Sequence, residues 1–179
     1  MPESGAEMTV EKEPFGILEN GREITRWTMR ARRGIPDSVS LIDYGAAISS
    51  VRWEGTQVCL GMDDLQGYRR QDAYLGATCG RYANRIHNGE FILDGERFTL
   101  QKNDGDNSLH GGNAGFSHRA WKGEILDCES EAVAGVGFEL ESPHMEGGYP
   151  GNLKVRVEYY LSEDGYLYIY YRGEATDPL

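Results

Sequence analysis

Residues 154–171, KVRVEYYLSEDGYLYIYY, decide the fold class. Val155, Val157, Tyr159 and Leu161 alternate with Lys154, Arg156 and Glu158, the period of two that turns one side of a strand toward a core. Glu163-Asp164-Gly165 then supplies a turn, and Tyr166-Leu167-Tyr168-Ile169-Tyr170-Tyr171 starts a return strand. That second run is apolar on both faces, which predicts a central strand covered on each side. Working outward, the same punctuation recurs at Asn20-Gly21, Arg33-Gly34, Tyr44-Gly45, Glu54-Gly55, Asn88-Gly89, Asp94-Gly95 and Asp104-Gly105. Short runs rich in β-branched and aromatic residues lie between these turns, the pattern of an all-β sandwich or barrel. Phe91-Ile92-Leu93, Asp94-Gly95 and Glu96 to Leu100 read as a hairpin with a two-residue turn. Helix is scarce, with one turn expected around Met62–Tyr68.

Residues 1–13 are polar and are expected to be flexible, leaving 14–179 as the folded portion. The chain stops at Glu174-Ala175-Thr176-Asp177-Pro178-Leu179, directly after its apolar strand, which predicts an unfinished sheet whose open edge invites pairing.

The net charge of −11 repels phosphate backbones and anionic membranes, so neither nucleic acid nor a membrane is an expected partner. No apolar run reaches spanning length, and residues 1–13 lack the apolar core of a signal peptide. Cys59, Cys79 and Cys128 are odd in number and widely spaced, which favours reduced thiols and a cytoplasmic location. No two histidines or cysteines stand at metal-ligand spacing, and no G-x-S-x-G, phosphate-binding loop or dinucleotide fingerprint occurs. No metal or cofactor is therefore expected. The acids Asp43, Asp63, Asp64, Asp72, Asp104 and Asp106 mostly sit beside turn glycines, where Asp bonds local backbone, and none is nominated as a general base.

The densest polar constellation lies between Gly76 and His118. Gly80-Arg81-Tyr82-Ala83-Asn84-Arg85-Ile86 sets Asn84 and Arg85 among small residues, and Asn107-Ser108-Leu109-His110-Gly111-Gly112 sets His110 before two glycines. The hairpin between them folds the chain back, so Asn84, Arg85 and His110 are expected to converge at one end of a sheet. A polyhydroxy ligand needs such groups: Arg and Asn give directional donors, Asn adds an acceptor, and a neutral His supplies one of each. Taken singly, Arg85 reads equally as a paired surface arginine and His110 as a structural histidine bonding a loop. His87 and His144 read as solvated turn residues, and His118 as a loop residue before Trp121.

Leu75-Gly76-Ala77-Thr78-Cys79-Gly80-Arg81-Tyr82-Ala83-Asn84-Arg85-Ile86 and Asn103-Asp104-Gly105-Asp106-Asn107-Ser108-Leu109-His110-Gly111-Gly112 resemble, in order, two signature segments of the aldose 1-epimerase (galactose mutarotase-type) family. Asp43-Tyr44-Gly45-Ala46, Leu60 to Tyr68 and Glu146 to Leu153 match its flanking segments, and the likeness runs from about Phe15 to the last residue. The resemblance is to that family's amino-terminal half. It implies a galactose mutarotase-like β-supersandwich, incomplete in this chain, and interconversion of the α and β anomers of an aldohexose such as glucose or galactose. It also implies that Asn84, Arg85 and His110 bind the aldose and that no cofactor is used. The family's proton-transferring His and Glu lie in its second half, so no catalytic residue is assigned in this chain. A complementary C-terminal chain, or self-association through the open edge, is the partner this implies. The alternative reading is a non-catalytic carbohydrate-binding module or an inactive truncated homologue.

Overall fold

A computed structural model describes residues 9–30, 36–128 and 133–175. In chain order the elements are β1 (Thr9–Ile17), β2 (Glu23–Arg30), β3 (Ser38–Ile42), β4 (Ala47–Trp53), β5 (Thr56–Gln57), α1 (Leu65–Arg70), β6 (Arg85–Ile86), β7 (Glu90–Leu93), β8 (Glu96–Thr99), β9 (Ser108–Leu109), β10 (Lys122–Leu126), β11 (Val133–Ser142), β12 (Leu153–Ser162) and β13 (Leu167–Ala175). Strands β1 to β5 form one antiparallel sheet in chain order, and β10 to β13 form a second. Two short ladders, β6–β9 and β7–β8, stand apart from both.

The inner faces of the two sheets meet in one core. Trp27, Met29, Val39 and Leu41 come from the first sheet, and Val136, Phe138, Leu140, Val155, Val157, Tyr159 and Leu161 from the second. The four inward residues of β12 are those the period of two selects, because successive side chains of a strand point to opposite faces. Trp27 meets Phe138 edge-on at 6.2 Å, and the Tyr159 hydroxyl donates to the Ala46 carbonyl at 2.7 Å, tying one sheet to the other. A smaller cluster of Ile24, Ile42, Tyr44, Ala47, Leu65 and Tyr68 lies under α1. That helix starts three residues later than the expected turn, because the Asp64 carboxylate accepts from the Gly67 N–H at 2.7 Å and so makes Asp64 the N-cap.

Two expectations are corrected. Residues 9–13, expected to be flexible, are the first part of β1, paired with β2 in register from Thr9↔Arg30 to Glu13↔Arg26. Their polarity belongs to an edge strand whose charges are answered across the ladder: Glu11 with Arg30 and Glu13 with Arg26, each at 3.1 Å, and Lys12 over the Trp27 ring at 4.4 Å. Residues 1–8 and the Arg33-Gly34 turn lie outside the described residues, as do residues 176–179. The second correction concerns β13. Expected to be central, it is the outermost strand of its sheet among the described residues, with β12 its neighbour there. Its inner-face Tyr171 is 63% exposed, because the first sheet does not extend over it. The expected hairpin is present as β7 and β8, with Asp94 and Gly95 both at positive φ, as a two-residue turn requires.

Asp43, just past β3, is 7% exposed. One of its carboxylate oxygens accepts from the Thr25 N–H at 3.0 Å. Burial pushes its pKa up from 3.8 to about 6, outweighing that hydrogen bond and the charge of Arg22. The folded state therefore keeps a proton that the unfolded chain gives up above its ordinary carboxylate pKa. Stability contributed by the neutral acid is present at low pH and is lost as pH rises from about 4 to about 6, by about 2–3 kcal/mol. Asp43→Asn is expected to remove that decline. Urea midpoints of both proteins across this window measure it, and equal slopes would contradict a buried, protonated Asp43.

Candidate functional site

The site is built where β6 meets β9. Arg85 pairs with Leu109 and Ile86 with Ser108, and just beyond the ladder Asn84 and His110 lock reciprocally. The Asn84 N–H donates to His110 Nδ1 at 2.9 Å, and the His110 N–H donates to the Asn84 carbonyl at 3.1 Å. Both residues adopt left-handed backbone, φ 72° at Asn84 and 52° at His110, which Asn accepts readily and which costs a His about 1 kcal/mol. Because Nδ1 accepts a hydrogen bond, the neutral imidazole carries its proton on Nε2, which is left as a donor.

Packing holds the ring in that pose. Tyr74 meets the His110 ring edge-on at 4.5 Å. The Tyr74 hydroxyl accepts from Asn103 Nδ2 at 3.2 Å, and Asn103 also clasps the backbone of Leu109, accepting its N–H at 2.7 Å and donating to its carbonyl at 3.0 Å. Gly111 follows at φ 91°, and a Cβ there would overlap the Gly80 carbonyl oxygen, so the two signature segments touch backbone to backbone.

The two arginines of the first segment have different tasks. Arg81 is spent on structure: its Nε donates to Ser142 Oγ at 2.9 Å, and its terminal nitrogens donate to the carbonyls of Pro150, Ser142 and Pro143 at 2.7, 2.7 and 2.9 Å. Ser142 Oγ in turn donates to Glu146 at 2.6 Å, and Glu146 pairs with Arg119, which fastens the loop carrying Glu146 to Tyr149. Arg85 instead stays 56% exposed at its side chain. Its Nε is held by Asp104 at 2.6 Å and its Nη1 lies 3.5 Å from Asn84 Oδ1. The ion pair aims the guanidinium and leaves terminal N–H groups for a ligand. Arg85 is thus both a paired surface arginine and a neighbour of Asn84 and His110.

All three nominated residues, Asn84, Arg85 and His110, are brought together. A cavity of about 560 Å³ opens beside them, lined by Arg85 but not by Asn84 or His110; its other walls include Tyr82, Ile86, Phe91, Tyr149 and Leu153. It is an apolar neighbour of the polar cluster. The remaining histidines stay outside. His87 is exposed, and His144 Nδ1 accepts the Gly151 N–H at 3.0 Å. His118 is half-buried with its ring 5.8 Å from Tyr74, and burial pushes its pKa down. Sequence reasoning missed Tyr74 and the clasp of Asn103. A signal existed for the latter, since Asn103 and Asn107 bracket an Asp-Gly turn, the place where Asn side chains close loops.

The aldose 1-epimerase family model matches residues 27–179. The galactose mutarotase of Bos taurus is 42% identical over 143 residues, covering 77% of this chain and 40% of the relative. The aldose 1-epimerase of Escherichia coli K12 is 37% identical over 167 residues, covering 90% of this chain and 46% of the relative. Among solved structures, a galactose 1-epimerase from Lactobacillus acidophilus superposes with a TM-score of 0.84 at 27% identity, covering 94% of this chain and 49% of that one. A galactose mutarotase-like protein from Clostridium acetobutylicum shares the fold, with a TM-score of 0.69 at 15% identity. The chain spans about half the length of the relatives it matches. No helix among the described residues is long and apolar enough to cross a membrane. With the fold and both signature segments in agreement, the chain belongs to the aldose 1-epimerase family.

Proposed function

We propose that this chain supplies the sugar-binding half of an aldose 1-epimerase that interconverts the α and β anomers of an aldohexose such as glucose or galactose. The observation that carries the reading is the reciprocal lock of Asn84 and His110 with Arg85 beside it. An imidazole Nε2–H, guanidinium N–H groups and an amide this close together are a set suited to the closely spaced oxygens of a pyranose.

Mutarotation needs a base to take the proton of the anomeric hydroxyl and an acid to protonate the ring oxygen. The C1–O5 bond then breaks, the open aldehyde rotates about C1–C2, and reclosure gives the other anomer. Nothing is oxidised, so no electron carrier enters the balance. In this reading Arg85 and Asn84 orient the ring, and His110 donates to a sugar oxygen from Nε2. The acid and the base belong, in this reading, to the half of the family's length that this sequence does not span. The three thiols, Cys59, Cys79 and Cys128, are free, which supports a reducing cytoplasm as the place of action.

Polarimetry on freshly dissolved α-galactose tests this, with the chain alone and mixed with the C-terminal half of the bovine relative. Acceleration by the mixture alone is expected. If the mixture does not accelerate mutarotation while calorimetry still shows sugar binding, the chain is a carbohydrate-binding module and the enzymatic reading fails.

A further inference from the structure

Beyond the sugar cluster, the outer face of the second sheet carries a construction that mutarotation does not use. On β12 and β13, four outward residues form a square: Tyr160 stands opposite Tyr168, and Glu158 opposite Tyr170. The Tyr168 and Tyr170 rings are close to parallel, 13° apart in plane with centroids 6.5 Å apart. Tyr160 stands across them, 5.8 Å from Tyr170 and tilted by 73°. These four side chains line a hollow of about 400 Å³. Tyr168 and Tyr170 are 46% and 56% exposed, and Tyr166 continues the row 6.1 Å from Tyr168.

The charges around this hollow are mixed, with a negative balance. Tyrosine ring faces carry negative quadrupole density. The fourth wall is a carboxylate, Glu158, which lies 3.3 Å from the Tyr160 hydroxyl. Behind it, the Arg156 guanidinium is shared by Glu124, Glu139 and Glu158 at 2.7, 2.8 and 2.7 Å. Lys154 reaches Glu139 at 3.6 Å, and Arg172, beside Tyr170 and opposite Arg156, pairs with Glu174 at 2.5 Å, so four carboxylates face three cations and the cluster keeps an excess of one negative charge. A neutral polyol gains little there, and an anion is repelled. A soft, weakly hydrated cation gains both the ring faces and the carboxylate field, with little desolvation to repay.

We propose that the hollow formed by Glu158, Tyr160, Tyr168 and Tyr170 binds a quaternary ammonium group, carried either by a small choline-type molecule or by a trimethylated lysine. The site lies on the outer face of the second sheet and shares no residue with Asn84, Arg85 or His110. It is independent of the sugar cluster and of the reaction proposed there.

The test is a titration of the chain at constant ionic strength, read from the tyrosine ring resonances. Choline, trimethyl-lysine and dimethylbutanol, the uncharged carbon isostere of choline, are compared. Saturable shifts confined to Tyr160, Tyr168 and Tyr170 are expected, with a cation bound at least about tenfold more tightly than the isostere. The tighter of the two cations identifies the source. Tyr170→Ala is expected to abolish the preference, Tyr170→Phe to keep it, and Glu158→Gln to weaken it several-fold. The proposal is overturned if the isostere binds as well as choline, if no cation saturates, or if Tyr170→Ala leaves the affinity unchanged. Galactose calorimetry on the same variants should match the parent chain, which keeps this outcome separate from that of the sugar site.

Discussion

Arg85→Ala is expected to weaken aldose binding by about 10- to 100-fold while leaving the circular dichroism and the unfolding midpoint close to those of the parent. Hydrogen bonds to a charged group contribute about 1.5–3 kcal/mol, and each 1.4 kcal/mol is a factor of ten. The fold should not notice, because the side chain is 56% exposed and its Asp104 partner is half-exposed as well. Arg85→Lys should recover only part of the loss, since an ammonium cannot present the planar fork. Calorimetric titration with galactose, in the presence of the complementary half if the chain alone binds weakly, measures it. Unchanged affinity in Arg85→Ala would remove Arg85 from the sugar site and leave the proposed function without its cation.

The largest stability effect is expected at Trp121. Its side chain is fully buried, its ring meets Phe116 edge-on at 5.7 Å, and its indole N–H donates to the Phe116 carbonyl at 3.1 Å. Its backbone also joins the parts: the N–H donates to the Asp43 carbonyl at 2.7 Å and the carbonyl accepts from Arg22 at 2.7 Å. Trp121→Ala leaves a large cavity at this junction and is expected to cost about 3–5 kcal/mol. Trp121→Phe keeps most of the volume but leaves the Phe116 carbonyl without its donor, a loss of about 1–2 kcal/mol. Urea denaturation of both variants tests the order. The effect should reach the Asn84–His110 cluster, because the Phe116 ring packs on Gly80, where a Cβ would overlap it, and Gly80 precedes the Arg81 clamp.

Much of this was legible in the residues. The alternation in β12 gave its inward set, since period two is a local property of an extended backbone and needs no knowledge of neighbours. The Asp94-Gly95 turn was legible for the same reason. The place of β13 was not, because a strand apolar on both faces reports only that cover would be favourable, while the cover itself comes from residues far away in sequence. The polar residues 9–13 misled in the opposite way: their partners Arg26 and Arg30 are supplied by the next strand, which makes a charged edge look like a tail. At the site, Asn84, Arg85 and His110 stood out as polar side chains among glycines. Tyr74 did not, because its role depends on a ring contact across 36 positions of sequence and on a hydroxyl held by Asn103. The burial of Asp43 was equally hidden, since an Asp before a Tyr-Gly turn reads as a turn residue bonding local backbone.

The outer position of β13 bears on how a polypeptide of these 179 residues behaves in the test tube. Among the described residues this nine-residue ribbon pairs with β12 alone, and with Ile169 and Tyr171 on its underside its other side is a template on which a second molecule can add when these 179 residues are prepared by themselves. Any association through that side would be bimolecular, so a dilute and a concentrated sample of these 179 residues would be different preparations of the same polypeptide. Yield, light scattering and shelf life should then follow concentration more closely than temperature, and a lysine placed at Ile169 should be the simplest way to keep molecules apart.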